Sequence, residues 1–127
     1  MTDLIRVQPE GTFNSKSYAQ AVRVGGLLFV SGQVAIDGSG QLVGATNFVE
    51  QAEQVFKNLK AVLDSAGATF DDVVKVTNFL VRAEDFTAFT EIRARYLKAQ
   101  PASSTVFVAA LVRPELLIEI EAVVAIA

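Results

Sequence analysis

The chain has 127 residues, and 51% of them are hydrophobic, which suits one compact domain with a sizeable core. The net charge is -3, and the basic residues are scattered along the sequence. They form no basic stripe of the kind that nucleic-acid binding requires, so we expect no nucleic-acid partner. The absence of cysteine and histidine excludes disulfides, thiolate zinc sites, a cysteine nucleophile and a histidine base.

The sequence carries no signal for export, for a membrane span or for a common cofactor. Its start includes the charged residues Asp3, Arg6 and Glu10, so it contains no apolar signal-peptide core, and no uncharged apolar run approaches membrane-spanning length. Glycine-rich phosphate loops, dinucleotide fingerprints and metal-ligand spacings are also absent. We therefore expect a cytoplasmic protein with no membrane contact, no cofactor and no metal.

The first predicted element is a β-hairpin. Residues 17–34 contain two strand-like runs joined by Gly25 and Gly26, a pair that tolerates the positive φ angles of a tight turn. The sequence DGSG at 37–40 marks a second turn, and the short QLV after it is a candidate for one more strand.

The next predicted element is a helix. From Asn47 to Ala66 apolar residues recur every three or four positions, which marks one apolar helix face. Asn47 and Glu50 form a capping arrangement at its start, and Gly67 supplies the left-handed stop after its end.

A strand and a second helix follow. Residues 73–81 are rich in β-branched and aromatic side chains, which predicts a strand buried largely on both faces. Glu84 or Asp85 then caps a helix with basic residues in its last turns, and this helix must end before Pro101.

Two more strands, at 104–111 and 116–126, complete the chain. The order is strand, strand, a candidate short strand, helix, strand, helix, strand, strand, which predicts an α+β layer with one sheet and two helices on one of its faces. The uncovered face and the edge strands then need partners, so we expect a homo-oligomer whose subunits pack sheet to sheet.

Five segments, SYAQAV, LLFVSGQ, VVKVTNFLVRAEDF, PASSTV and IEIEAVVA, resemble signature stretches of the YjgF/RidA family, in the same order along nearly the whole chain. The resemblance implies a single domain over residues 1–127 with a chorismate-mutase-like α+β fold, and a homotrimer with three clefts between subunits. The best characterised branch of that family hydrolyses reactive enamines and imines, such as 2-aminoacrylate and its imine, to a keto acid and ammonia without a cofactor. Other relatives are described as ribonucleases or translation inhibitors.

Ser103 departs from the family pattern. In the deaminase branch an arginine at this place binds the substrate carboxylate, and such a contact contributes on the order of 1.5 to 3 kcal/mol, or roughly ten- to a hundredfold in binding. Lys16 and Ser17 also replace the usual Gly-Pro, and Thr90 stands where the deaminases have a cleft asparagine. The resemblance with these departures implies a small substrate other than a simple 2-imino acid.

Glu119 is the candidate general acid or base. In IEIEAV the two carboxylates, Glu119 and Glu121, alternate with isoleucines and so share one strand face, about 7 Å apart. Such alternation by itself usually marks a solvated face, whereas the resemblance implies that Glu119 reaches the cleft and holds the water or the transferred proton. A partly buried carboxylate has the raised pKa that suits this work.

The resemblance also implies groups that contact the substrate. Tyr18 matches a cleft tyrosine, although an aromatic residue in a strand more often packs. Gly32 lies in VSGQ, where a missing side chain lets a ligand approach the backbone or simply marks a bulge. Thr105 offers its backbone or is an ordinary strand residue, and Ser103 lines the pocket or satisfies a backbone group. Arg113 either reaches back to restore an anion contact or stays solvated.

Three functions remain in order of preference. The first is hydrolysis of a small enamine or imine, in which water held by Glu119 attacks the carbon of the C=N bond. The second is a module that binds a small metabolite or regulates without turnover. The third, ribonuclease activity, is disfavoured by the net charge and by the lack of a basic groove.

Overall fold

Within residues 3–127, which the computed structural model describes, six strands form one sheet that carries two helices on one face. The spatial order of the strands is β1-β2-β3-β6-β4-β5, and every neighbouring pair is antiparallel except the parallel pair β4 and β5. The strands are β1 Leu4–Val7, β2 Ala21–Val24, β3 Leu27–Gln33, β4 Val73–Leu80, β5 Ala102–Phe107 and β6 Ile118–Ala125. The helices are α1 Phe48–Ser65 and α2 Phe86–Tyr96. This is the α+β architecture with a mixed sheet that the sequence predicts.

The predicted hairpin is confirmed. Strands β2 and β3 pair in antiparallel register across Gly25, whose φ of 57° lies in the region that glycine adopts without strain. After the second turn the chain forms an isolated bridge between Ile36 and Leu42 instead of the candidate strand.

Helix α1 begins and ends where its local sequence directs. The Asn47 side-chain oxygen accepts a hydrogen bond of 3.0 Å from the backbone N–H of Glu50, and Gly67 follows the helix with a φ of 71°. Its apolar face packs on the sheet, where Phe56 and Leu59 join the main core.

Helix α2 starts at the predicted place, but the predicted capping hydrogen bond is wrong. Asp85 precedes the helix and makes no side-chain cap. Its carboxylate instead accepts two hydrogen bonds from the Arg82 guanidinium, at 2.8 and 2.9 Å. A bidentate charge-assisted pair satisfies the carboxylate better than a single backbone N–H does.

Strand limits follow the sequence less closely. The sequence reasoning missed strand β1, because its four residues are too few to show a period. Strand β5 covers 102–107, so it starts two residues before the predicted 104 and ends four residues before the predicted 111. Within 3–127, neither helix is long and apolar enough to cross a membrane.

The two faces of the sheet differ in burial. Alternate residues such as Leu28 and Ile120 lie under the helices and are fully buried, whereas Phe29 on the opposite face is 47% exposed. We call this second face, which carries Phe29, Phe79, Glu119 and Glu121, the open face. The expectation that residues 73–81 are buried on both faces is wrong for the single chain, since β4 is well buried on the helix side only.

Candidate functional site

Glu119 and Gly32 meet on the open face. Glu119 lies on β6 opposite Phe79 of β4, and Gly32 lies at a register shift in the pairing of β3 with β6. A Cβ atom at Gly32 would overlap the Glu119 carboxylate. The missing side chain at position 32 therefore makes room for the carboxylate of Glu119.

The environment of Glu119 disfavours its charge. Burial raises the pKa of the Glu119 carboxyl above its ordinary value, and the negative charge of Glu121 raises it further. Among the described residues, no lysine or arginine forms an ion pair with it. A carboxyl in such surroundings keeps its proton to higher pH than an ordinary glutamate does, which suits a group that exchanges protons with a substrate.

Tyr18 lies beside Gly32. Both residues border a small cleft of about 40 Å³, and the Tyr18 side chain is 52% exposed. A buried glutamine pair attaches this segment to the sheet, because Gln33 donates a hydrogen bond of 2.7 Å to Gln20, which in turn donates to the carbonyl of Phe13. We call the group of Tyr18, Gly32 and Glu119 the carboxylate half-site.

Ser103 and Thr105 lie on the helix side of the sheet, where both contact Asn78 of β4. The Asn78 amide nitrogen lies 3.0 Å from the Ser103 hydroxyl oxygen and 3.2 Å from the Thr105 hydroxyl oxygen, and it also donates to the carbonyl of Ser104 at 3.2 Å. Asn78 is fully buried, and within 3–127 its own side-chain oxygen has no hydrogen-bond partner. Sequence reasoning missed Asn78, although a lone amide inside the apolar strand VVKVTNFLV is a visible signal.

Ser103 also borders a cavity of about 370 Å³ between β5 and α2. Thr90 and Arg93 of α2 line the same cavity, together with Lys98 just beyond the helix. The Thr90 hydroxyl donates a hydrogen bond of 2.8 Å to the carbonyl of Thr87, one turn earlier in the chain. We call the group of Ser103, Thr105, Thr90, Arg93 and Lys98 the hydroxyl half-site.

Arg113 lies away from both groups. It belongs to the loop between β5 and β6, and its guanidinium is 3.8 Å from the Glu115 carboxylate. Both side chains are about two-fifths exposed, so this pair contributes little to stability. The structure therefore does not bring Arg113 to Ser103 within one chain.

The two half-sites lie on opposite faces of the sheet. Ser103 and Thr105 point toward the helices, and Glu119 points away from them on the open face. Because side chains of one strand alternate between faces, the sheet itself separates the two groups within one chain. A pocket that contains both groups requires two copies of the chain.

Sequence comparison places the chain among small proteins of similar length. A family model described as Endoribonuclease L-PSP matches residues 12–126. A RutC family protein of Pyrococcus abyssi is 39% identical over 107 residues, which is 84% of each chain. The 2-iminobutanoate/2-iminopropanoate deaminase of Mus musculus is 44% identical over 108 residues, which is 84% of this chain and 78% of the mouse protein. A Lactococcus lactis protein named as the regulator AldR is 43% identical over 108 residues, again 84% of each chain.

Structural comparison agrees with the sequence relatives. The crystal structure of YyfA, a Rid protein from Yersinia pestis, superposes with a TM-score of 0.92 at 34% identity, covering 98% of this chain and 100% of that one. RidA from an Antarctic Psychrobacter superposes with a TM-score of 0.84 at 36% identity, covering 92% of this chain and 94% of that one.

Proposed function

This chain belongs to the YjgF/RidA family, and we propose that it catalyses the hydrolytic deamination of a small reactive enamine or imine. The reaction takes place in a cleft between the subunits of a cytoplasmic homotrimer. The name of the mouse relative, an iminobutanoate and iminopropanoate deaminase, supports the reaction class.

One observation carries the proposal. The carboxylate half-site and the hydroxyl half-site each hold part of the chemistry that imine hydrolysis needs, and they lie on opposite faces of one sheet. Packing the open face of one subunit against the hydroxyl half-site of the next brings Glu119 to Ser103 and Thr105. This arrangement also covers the exposed apolar side chains of the open face, such as Phe29.

Glu119 then moves the protons. As the oxygen of water bonds to the carbon of the C=N group, the carboxylate takes a proton from that water, and the electron pair of the breaking π bond goes to nitrogen. Glu119, now protonated, gives the proton to nitrogen, which yields a carbinolamine. The carboxylate then takes the hydroxyl proton and passes it to nitrogen as an oxygen lone pair forms the C=O bond and the C–N bond breaks, so that ammonia and a carbonyl compound leave and the carboxylate is restored. An enamine first takes a proton at carbon from the same carboxyl. The raised pKa of Glu119 suits a group that must alternate between these states.

The native substrate is not a simple 2-imino acid, because position 103 is serine where the resemblance to the deaminase branch implies a carboxylate-binding arginine. We expect weak native hydrolysis of 2-iminopropanoate generated in solution, and a gain of roughly ten- to a hundredfold in kcat/KM for Ser103→Arg. Ser104→Arg is the matched control, since the Ser104 side chain points to the opposite face and contacts Lys75. Efficient native turnover, or an equal gain in the control, would contradict this assignment.

A non-catalytic module that binds a metabolite or regulates is the second candidate. The name of the Lactococcus lactis relative, a regulator, favours it. Two measurements on the same protein distinguish the candidates. If the protein hydrolyses no imine, but a small metabolite raises its melting temperature, the binding module is supported. The description of the family model as an endoribonuclease raises a third candidate, which the net charge of -3 disfavours.

A further inference from the structure

The cavity of the hydroxyl half-site is lined by cations and hydroxyl groups. Arg93 and Lys98 border it, and among the described residues no aspartate or glutamate does. Within 3–127 neither of these cations forms an ion pair, although other basic residues of the chain do. Within one chain, two positive charges without a carboxylate favour an anion in this space.

The hydroxyl of Ser103 adds a hydrogen-bond donor to the same cavity. Its oxygen accepts a hydrogen bond of 3.0 Å from the amide of Asn78, which is fully buried and fixed in the sheet. Because that oxygen serves as an acceptor, the hydroxyl hydrogen remains for a group in the cavity. Ser103 therefore supports an anion there without supplying charge.

Arg93 is held in place by packing. Its guanidinium carbon lies 5.0 Å from the centre of the Phe89 ring, and Phe89 is fully buried in the core. Stacking on a fixed ring restricts the long side chain, so less conformational entropy is lost when the guanidinium binds an anion.

Arg93 borders the cavity on a different side from position 103. A guanidinium at position 103 would extend from the strand wall of the cavity, whereas Arg93 extends from the helix wall formed by α2. The cavity of about 370 Å³ has the volume of about a dozen water molecules, more than a three-carbon acid fills. The cavity therefore has room for a ligand with more carbon atoms than a simple 2-imino acid.

We propose that this cavity is a carboxylate-binding subsite, in which Arg93 with Lys98 binds an acid group that the substrate carries several bonds away from its reacting carbon. This inference rests on the proposed function for the identity of the reacting carbon. In this arrangement Arg93 of α2 takes the role that the resemblance gives to an arginine at position 103. The substrate class is then an imine or enamine with a distal carboxylate.

The test is equilibrium binding of three stable ketones by calorimetry, which needs no turnover. The probes are 4-oxopentanoate, with a distal carboxylate, pyruvate, with an adjacent carboxylate, and uncharged 2-pentanone. The native protein binds 4-oxopentanoate at least about tenfold more tightly than either of the others. Arg93→Gln weakens that binding by about ten- to a hundredfold.

Arg95→Gln is the matched control, because it removes the same charge two residues along the same helix. The Arg95 guanidinium pairs with Glu53 at 3.1 Å and lies outside the cavity, so affinity for 4-oxopentanoate changes by less than about twofold. Equal effects of the two substitutions, or equal binding of 4-oxopentanoate and 2-pentanone, would overturn the subsite. Equal binding of pyruvate and 4-oxopentanoate would overturn the distal position of the carboxylate. Binding that depends on Arg93 without hydrolysis of any imine would retain the subsite and reject the proposed function.

Discussion

The carboxyl group of Glu119 and the absent side chain of Gly32 depend on each other. The Glu119 carboxylate occupies the space that a Cβ atom at position 32 would need, and this closeness to the backbone contributes to its partial burial. Burial and the neighbouring charge of Glu121 together raise the pKa of Glu119. The protonation of this one group therefore links the stability of the fold to the chemistry that we propose for the site.

The raised pKa gives a pH dependence of known sign. A folded-state pKa above the unfolded value means that the folded chain keeps the proton to higher pH, so Glu119 lowers stability as pH rises through that window and has no effect below it. We expect Glu119→Gln to melt at a higher temperature than the native protein at pH 7. This difference in melting temperature shrinks toward zero as the pH falls to about 4. Glu91→Gln, at an exposed carboxylate of α2, is the control. A difference between native and Glu119→Gln that does not change with pH would contradict the cause assigned to the shift.

Single residues of the site differ in how far sequence alone predicts them. The face on which Glu119 lies is predictable, because strict alternation in IEIEAV fixes it, whereas its role stays a prediction from the resemblance. Arg93 is not predictable, because its position in the last turns of a helix explains a basic residue through the helix dipole alone. Only the packing of α2 against β5, which joins distant parts of the chain, places Arg93 in the same cavity as Ser103.

At the scale of elements, a buried side chain of α1 connects this helix to β6, the strand that carries Glu119. Gln51 is fully buried and donates hydrogen bonds of 2.9 Å to the carbonyls of Gly44 and Glu115. Its oxygen accepts a third bond, of 2.8 Å, from the backbone N–H of Leu117, one residue before β6. Gln51 therefore fixes the start of β6 relative to the helix layer.

Replacing this glutamine removes all three bonds at once. We expect Gln51→Leu to lower the free energy of unfolding by about 2 kcal/mol or more, because buried backbone groups lose their partners. Gln54→Leu, on the same helix, is the control, since the Gln54 amide donates a single hydrogen bond to Asn58 and its loss costs less. Urea denaturation of both variants measures the difference. Equal losses of unfolding free energy would contradict a larger stabilising contribution from the backbone contacts of Gln51.

Elements whose signals are local follow the sequence most closely. The limits of α1 agree with prediction because a side-chain cap and a glycine stop act within a few residues. Helix α2 starts where the sequence predicts, but the Asp85 carboxylate binds Arg82 instead of capping the helix. A capping rule considers only the backbone N–H groups and does not include this competing partner. Strand β1 needs β2 as a partner, so its four residues show no pattern of their own.

At the scale of the whole molecule, a single chain holds the carboxylate half-site and the hydroxyl half-site on opposite faces of its sheet. The helices cover one face of the sheet and leave the open face uncovered. On the open face the side chains of Phe29 and Val106 are both more than two-fifths exposed. Strand β5 is an edge strand with little burial on either face. A second copy that covers these surfaces also joins the two half-sites, so assembly and activity are expected to be lost together.

Complementation between two damaged chains tests the shared cleft most directly. Glu119→Ala removes the carboxylate, Ser103→Trp fills the cavity, and each homotrimer alone is expected to be inactive toward the imine that the native protein hydrolyses fastest. After the two variants are unfolded and refolded together, three-quarters of random trimers are mixed and each contains one intact cleft, so we predict about a quarter of native ammonia release. Light scattering of each variant confirms that it still assembles. A mixture no more active than the two separate variants would contradict a site built from two subunits.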